Sequence, residues 1–212
     1  IPLSDFPELS LRLRRELDYP PQGVVVFPDH ETIGVFSVDL HFEAVDPISG
    51  EPRDRRRIPY GGPTVMVTNL MRAEDSLLLY VSTFGQMVKE LHLETREIRQ
   101  ARVPFGGGDI VHVPEMKRVY QANMVFREIN VIDTRTMRLE RTLELDYQPR
   151  AINADYERDL LIVGAWFDGD VYLYSLRTLE PLGPPISVGT YLRKVAYDSE
   201  RALVYAGSRC GV

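Results

Sequence analysis

Short apolar runs and polar turns alternate along most of the chain. Ile110-Val-His-Val leads through a polar stretch to Val119-Tyr-Gln-Ala122, and the alternating run Ile129-Asn-Val-Ile132 follows. The same order returns in Ile152-Asn-Ala, Leu160-Leu-Ile-Val-Gly164 and Val171-Tyr-Leu-Tyr174. Runs of this length, rich in β-branched and aromatic residues and bounded by turn residues, predict strands. No convincing ten-residue stretch keeps a helical period. The one ambiguous segment is the start, where Leu9, Leu11 and Leu13 alternate as in a strand while Leu9, Leu13 and Leu17 share a helix face. Glu16-Leu-Asp-Tyr19 resembles Glu144-Leu-Asp-Tyr147, which closes a later unit, so a strand is expected over about 11–17.

The pattern is periodic. Thr136 and Thr178 lie 42 residues apart, as do Ile110 and Ile152, and Arg150 through Gly164 returns as Arg193 through Gly207 at an offset of 43. In that last pair Asp155/Asp198, Glu157/Glu200 and Arg158/Arg201 are identical and decorate the same predicted turn. Four strands in roughly 42 residues is the period of a β-propeller blade. The fold class expected is therefore all-β: a propeller of four-stranded antiparallel blades in one domain over 1–212. Blades are expected at about 23–60, 62–105, 107–148 and 149–190, with a partial blade at 191–212. This is an incomplete ring, four full blades plus partial ones, and the start at Ile1 and end at Gly211-Val212 suggest a fragment of a six- to eight-bladed protein. Its open edges would favour self-association.

Val119-Tyr-Gln-Ala-Asn123, then Ile129-Asn-Val-Ile-Asp133-Thr-Arg-Thr136, then Gln148-Pro-Arg-Ala-Ile152 resembles the YVTN-type β-propeller repeat. Ser175 and His92-Leu93 depart from its turn motif in other copies. The resemblance implies the fold strongly and an activity weakly, since that family spans bacterial surface proteins and lactonase-like relatives. It also favours an extracytoplasmic location, which nothing else in the chain specifies.

Composition narrows the function. The 212 residues carry 25 basic against 31 acidic side chains, a net charge of −6, which argues against a nucleic-acid surface. The lone Cys210 excludes an intrachain disulfide and a cysteine zinc site. No apolar run reaches membrane-spanning length, and no signal-peptide pattern is present. Four scattered histidines lack ligand spacing, and Asp29-His30-Glu31 reads as a solvated turn. Phe105-Gly-Gly-Gly-Asp109 lacks the Lys-Ser/Thr of a phosphate loop and reads as an inter-blade turn. The basic run Arg53-Asp-Arg-Arg-Arg57 reads as a solvated outer strand or loop. No catalytic residue, metal site or cofactor is predicted.

The links between blades hold an aromatic residue each, at Tyr19, Tyr60, Phe105, Tyr147 and Tyr191, spaced by 41 to 45 residues. In a propeller these links share one face with the loops between second and third strands, such as Asp39-Leu-His-Phe42, Thr83-Phe-Gly-Gln86, Asn123 to Arg127 and Trp166-Phe-Asp-Gly169. Aromatic residues and arginine are the types enriched at binding hot spots. The ligand- or partner-binding set expected on this face is Tyr60, Phe105, Asp109, Tyr147, Arg150, Trp166, Asp168, Tyr191 and Arg193. Wedging between neighbouring blades demands the same period and is the weightier reading of the aromatics. The expected function is non-enzymatic binding of a protein or small ligand. The alternative, implied by the resemblance alone, is a sugar-lactone hydrolase with Asp109, Asp168, His41 and the arginines at the channel mouth.

Overall fold

The computed structural model describes residues 21–26, 32–37, 41–46, 48–57, 67–72, 78–83, 85–92, 95 and 97–209. The expected strand at 11–17, together with Tyr19, Asp29-His30-Glu31, Asp39, Tyr60, Phe84 and Cys210, lies outside them. The chain divides into two compact units, Ile1–Ile58 and Pro59–Val212.

The first unit holds one antiparallel sheet of β1 (Pro21–Val26), β2 (Ile33–Ser37), β3 (His41–Val45) and β4 (Pro52–Arg57), paired in chain order. The basic run forms its last strand, and Arg53 donates to Asp46 at 2.7 Å and to Thr32 at 2.8 Å. His41 and Phe42, expected in a loop, open β3 instead, and Phe42 is buried.

The second unit begins with a sheet of β5 (Val67–Arg72), β6 (Leu78–Thr83), β7 (Met87–His92) and β8 (Ile98–Arg102). The next contains β9 (Gly107–Val113), β10 (Arg118–Asn123), β11 (Glu128–Asp133) and β12 (Arg138–Glu144). A fourth sheet holds β13 (Pro149–Asp155), β14 (Leu160–Ala165), β15 (Asp170–Ser175) and the short β16 (Ile186–Ser187). The fifth has only β17 (Leu192–Asp198) and β18 (Leu203–Ser208). These are antiparallel blades paired in chain order, and in the second unit the first strands β5, β9, β13 and β17 pack each against the next.

Turn chemistry explains the register. Asp46 accepts from the backbone N–H of Ile48 and Ser49, Asp133 from Arg135 and Thr136, Asp155 from Arg158 and Asp198 from Arg201. These are aspartate-capped turns that close hairpins. The Asp155–Arg158 and Asp198–Arg201 side-chain pairs recur at 2.7 and 2.8 Å, so the repeated residues do mark one turn in successive blades.

Alternation along each strand sends neighbouring side chains to opposite faces. In the third sheet Ile110, Val119 and Ile132 pack against Tyr80, Val88 and Ala101 of the second. Their chain neighbours Val111, Tyr120 and Val131 pack against Ile152, Leu161 and Val163 of the fourth. Ala151, Ile162 and Val171 turn to Leu192 and Val195 of the fifth. Polar braces repeat with the same period. Arg99 donates to the carbonyls of Thr134 and Arg135, and Arg141 donates to that of Arg177, one blade on. Arg99 also pairs with Glu90, a fully buried carboxylate that accepts from Tyr80 Oη at 2.7 Å. Across the third sheet Thr142, Asn130, Gln121 and Ser82 of the second sheet form one hydrogen-bonded chain.

Two consequences are measurable. A Cβ at Gly107 would lie 2.5 Å from the Thr83 carbonyl oxygen and 2.9 Å from Ser82 Oγ, whereas Gly183 has nothing within 4 Å. Gly107→Ala is expected to lower stability by about 1–3 kcal/mol in urea unfolding, and Gly183→Ala to stay within about 0.5 kcal/mol of wild type. The second concerns His112, whose ring lies tilted against that of Tyr80 with centroids 4.6 Å apart. Burial lowers its pKa from 6.5 to about 4. Between these values the unfolded chain binds the proton and the folded chain does not, so stability falls as pH drops through that window. A loss on the order of 1–3 kcal/mol is expected by pH 4, reduced by the same amount in His112→Phe. Equal pH profiles of the two proteins would count against this assignment.

Candidate functional site

Backbone hydrogen bonds gather two sets of loops at one end of the second unit. The loop between second and third strands bonds back to the preceding link through Met124 N–H to Gly106 O and Trp166 N–H to Gln148 O; Arg209 N–H, after β18, bonds to Tyr191 O in the same way. It bonds forward through Leu145 N–H to Arg127 O and Val188 N–H to Gly169 O. Trp166 is held from both sides, since its carbonyl also accepts from Leu192 N–H at 3.0 Å.

The first strands carry a feature invisible in the apolar pattern. Each pairs with its second strand through a one-residue bulge near its start. In β13 Pro149 faces Ala165 and Ala151 faces Gly164, leaving Arg150 extra. In β17 the extra residue is Arg193, in β5 Thr68 and in β1 Gln22. In β9 Gly108 and Asp109 together oppose Ala122. A bulge bends the strand and re-aims the side chain that it leaves unpaired. The glycine run therefore does not end as a turn, because Gly107 and Gly108 already belong to β9.

The predicted residues separate into two groups. Tyr147 takes the packing role. It is 4% exposed, stacks on Tyr172 with centroids 3.8 Å apart, and its hydroxyl is 3.0 Å from that of Tyr174. Asp109 is also buried, and it ties three blades together. It accepts from Ile110 N–H in its own strand, from Ile152 N–H in the fourth sheet at 3.3 Å and from Lys194 Nζ in the fifth at 2.7 Å. Burial pushes its carboxyl upward against the pull of Lys194.

The other residues form the exposed rim. Phe105 is 38% exposed, Phe167 49% and Tyr191 42%, with Val125 and Phe126 exposed on the adjacent loop. Trp166 stacks on Phe167 at 4.5 Å, and Phe167 meets Tyr191 edge-on at 5.8 Å. Arg193 lies over the indole, its Cζ 5.6 Å from the ring centroid. Asp168 is exposed beside them. Arg150 is half-buried, with Nη1 3.6 Å from Met124 Sδ, and both burial and the charge of Arg193 lower its pKa. Tyr60 lies outside the described residues.

Phe167, Phe126, Met124 and Lys194 extend the expected set. Phe167 stood in the sequence only as a loop aromatic beside Trp166. The bulges left one trace: Leu192 and Val195 enter the same core cluster three residues apart, which a regular strand does not allow.

The chain is similar to hydrazine synthase of Kuenenia stuttgartiensis, with 18% identity and a TM-score of 0.76 over 94% of this chain and 58% of that one. It is also similar to U3-55K, with 14% identity and a TM-score of 0.73 over 86% of this chain and 57% of that one. The chain thus spans less than two thirds of the length of either β-propeller protein, and at these identities the likeness shows the fold alone. No family model and no curated protein matches the sequence.

Removing the Tyr147 hydroxyl (Tyr147→Phe) is expected to cost about 1 kcal/mol in thermal unfolding. Tyr147→Ala, which also opens a cavity, is expected to cost about 3–5 kcal/mol. A neutral alanine variant would place this ring outside the core.

Proposed function

We propose that the chain is a non-enzymatic β-propeller binding module of the YVTN-repeat kind, which engages a protein or small ligand through the loop face of its second unit. The observation that carries this reading is the exposed pair Phe167 and Tyr191 with the half-buried Trp166, mounted on backbone held from two sides and flanked by Arg150 and Arg193. Large rigid aromatics bury much area at low entropic cost, and arginine adds directional donors.

Backbone geometry supports the same reading. Tyr191 has φ 58, in the left-handed region that disfavours a side chain. Other residues with positive φ, such as Lys117, Asp159 and Ala202, recur in equivalent hairpin turns. Tyr191 stands in a link instead, and strain held at an exposed aromatic is a mark of functional positions. A hydrolase would need an acid–base pair or metal at the mouth. On this face Asp109 is buried and bonded to Lys194 while Asp168 stands exposed on the rim, and among the described residues no group of three or more His, Cys, Asp or Glu could hold a metal.

The test exploits the strain. Tyr191→Gly removes the ring and relaxes the backbone, so stability should hold or rise by up to about 1 kcal/mol. Peptides selected from a random display library on the wild-type chain should lose at least about tenfold in affinity for Tyr191→Gly and for Phe167→Ala. Selected peptides that bind both variants as tightly as wild type would overturn the reading, as would a library that yields none.

A further inference from the structure

The bulges at Arg150 and Arg193 lie in neighbouring first strands, so two guanidinium groups are delivered to one part of the loop face. Gly108, at the matching bulge of β9, has no side chain there, and a Cβ on it would meet Met124, the residue that Arg150 touches. We infer that Arg150 and Arg193, together with the indole of Trp166, form a site for an oxyanion, the carboxylate or phosphate group of a ligand.

Several arginines elsewhere are paired, while Arg127 and Arg141 donate to backbone carbonyls. Arg99, Arg118, Arg158 and Arg201 are each bonded to a carboxylate. Neither Arg150 nor Arg193 has a carboxylate partner among the described residues. Asp109 lies close enough for its charge to act on Arg150, but its hydrogen-bond capacity serves Lys194 and two backbone amides. Asp109 is bonded to Lys194, so the Arg150 and Arg193 guanidinium groups meet here without a bonded carboxylate among the described residues. Like charges brought together repel, and an anion between them relieves that repulsion. Arginine forks also match the oxygen geometry of carboxylate and phosphate.

A second observation is independent of charge. Among the described residues of this unit Arg150 Nε and Trp166 Nε1 are enclosed without a hydrogen-bond acceptor; His112 Nδ1, Arg141 Nε and Gln148 Oε1 are also unmet, but none of these stands beside a second arginine of the rim. Buried donors are ordinarily satisfied, and exceptions call for a partner such as an ion or water. These two unmet donors lie on one blade, beside the Arg193 guanidinium of the next, and mark a place where acceptor oxygens are missing.

This inference deepens the proposed function and rests on the same face, but it makes a separate claim about chemistry. Trp166 is the only tryptophan of the chain, so its fluorescence reports directly on the site. Inorganic phosphate and succinate would be titrated separately into the full 212-residue chain at fixed ionic strength. A saturable change in Trp166 emission with either anion is expected, and the one that saturates assigns the class as phosphate or carboxylate. Arg193→Gln and Arg150→Gln should each raise the midpoint about tenfold. Arg193→Lys should retain part of the response, and Arg135→Gln, at an exposed arginine paired with Asp133, should change nothing. Arg193 is exposed, so its variant keeps the test valid even if Arg150→Gln fails to fold. No saturable response to either anion, or an unchanged midpoint in Arg193→Gln, would overturn the inference. Loss of peptide binding with the anion response intact separates the aromatic rim from the anion site; peptide binding with no anion response removes the anion site alone.

Discussion

A four-stranded sheet with two apolar faces cannot cover itself, and the second unit of this protein is organised by that requirement. Alternation puts Val119 on one side of β10 and Tyr120 on the other, so the third sheet needs a neighbour on both sides. Each blade is thereby the solvent shield of the next. The close approach of Gly107 to Thr83 and Ser82, and of Gly164 to Leu192 and Val195, follows from packing the first strand of one blade on the second strand of the blade before it. Where no further sheet follows among the described residues, Leu203, Val204 and Tyr205 of β18 are left exposed.

Most polar groups described inside this apolar stack have partners, since an unmet polar group in a low-dielectric interior is costly. Asp109 illustrates the rule, because one carboxylate serves three consecutive blades. Glu90 is partnered within its own blade, by Tyr80, His92 and Arg99. The Ser82–Gln121–Asn130–Thr142 chain carries hydrogen bonding from one sheet through the whole width of the next. Of the exceptions, which include His112 Nδ1 and Arg141 Nε, the unmet donors of Arg150 and Trp166 occur on the loop face, where a rigid scaffold displays residues to a ligand.

The bulges connect scaffold to site. A regular β17 would place Leu192 and Val195 on opposite faces; the extra residue lets both enter one core and turns Arg193 out over Trp166. The same local departure delivers Arg150 from β13. Packing of the blade and presentation of the arginines thus have one structural cause.

Strands, hairpin turns and blade period were legible in the chain because they depend on neighbours in sequence. An Asp reaches the amide two or three residues on, and side-chain facing follows from parity along the strand. That was enough for the fold class and for the face carrying the loops. The recurring aromatics were not separable on that basis, since Tyr147 and Tyr191 occupy equivalent links. Only the tertiary structure sends Tyr147 under Tyr172 and leaves Tyr191 exposed with a strained backbone. It also turns Asp109 from a surface candidate into a buried tie, through Lys194 85 residues away. Burial, charge pairing and bulge position are set by strands that meet across blades, and such contacts leave little mark on the local order of residues.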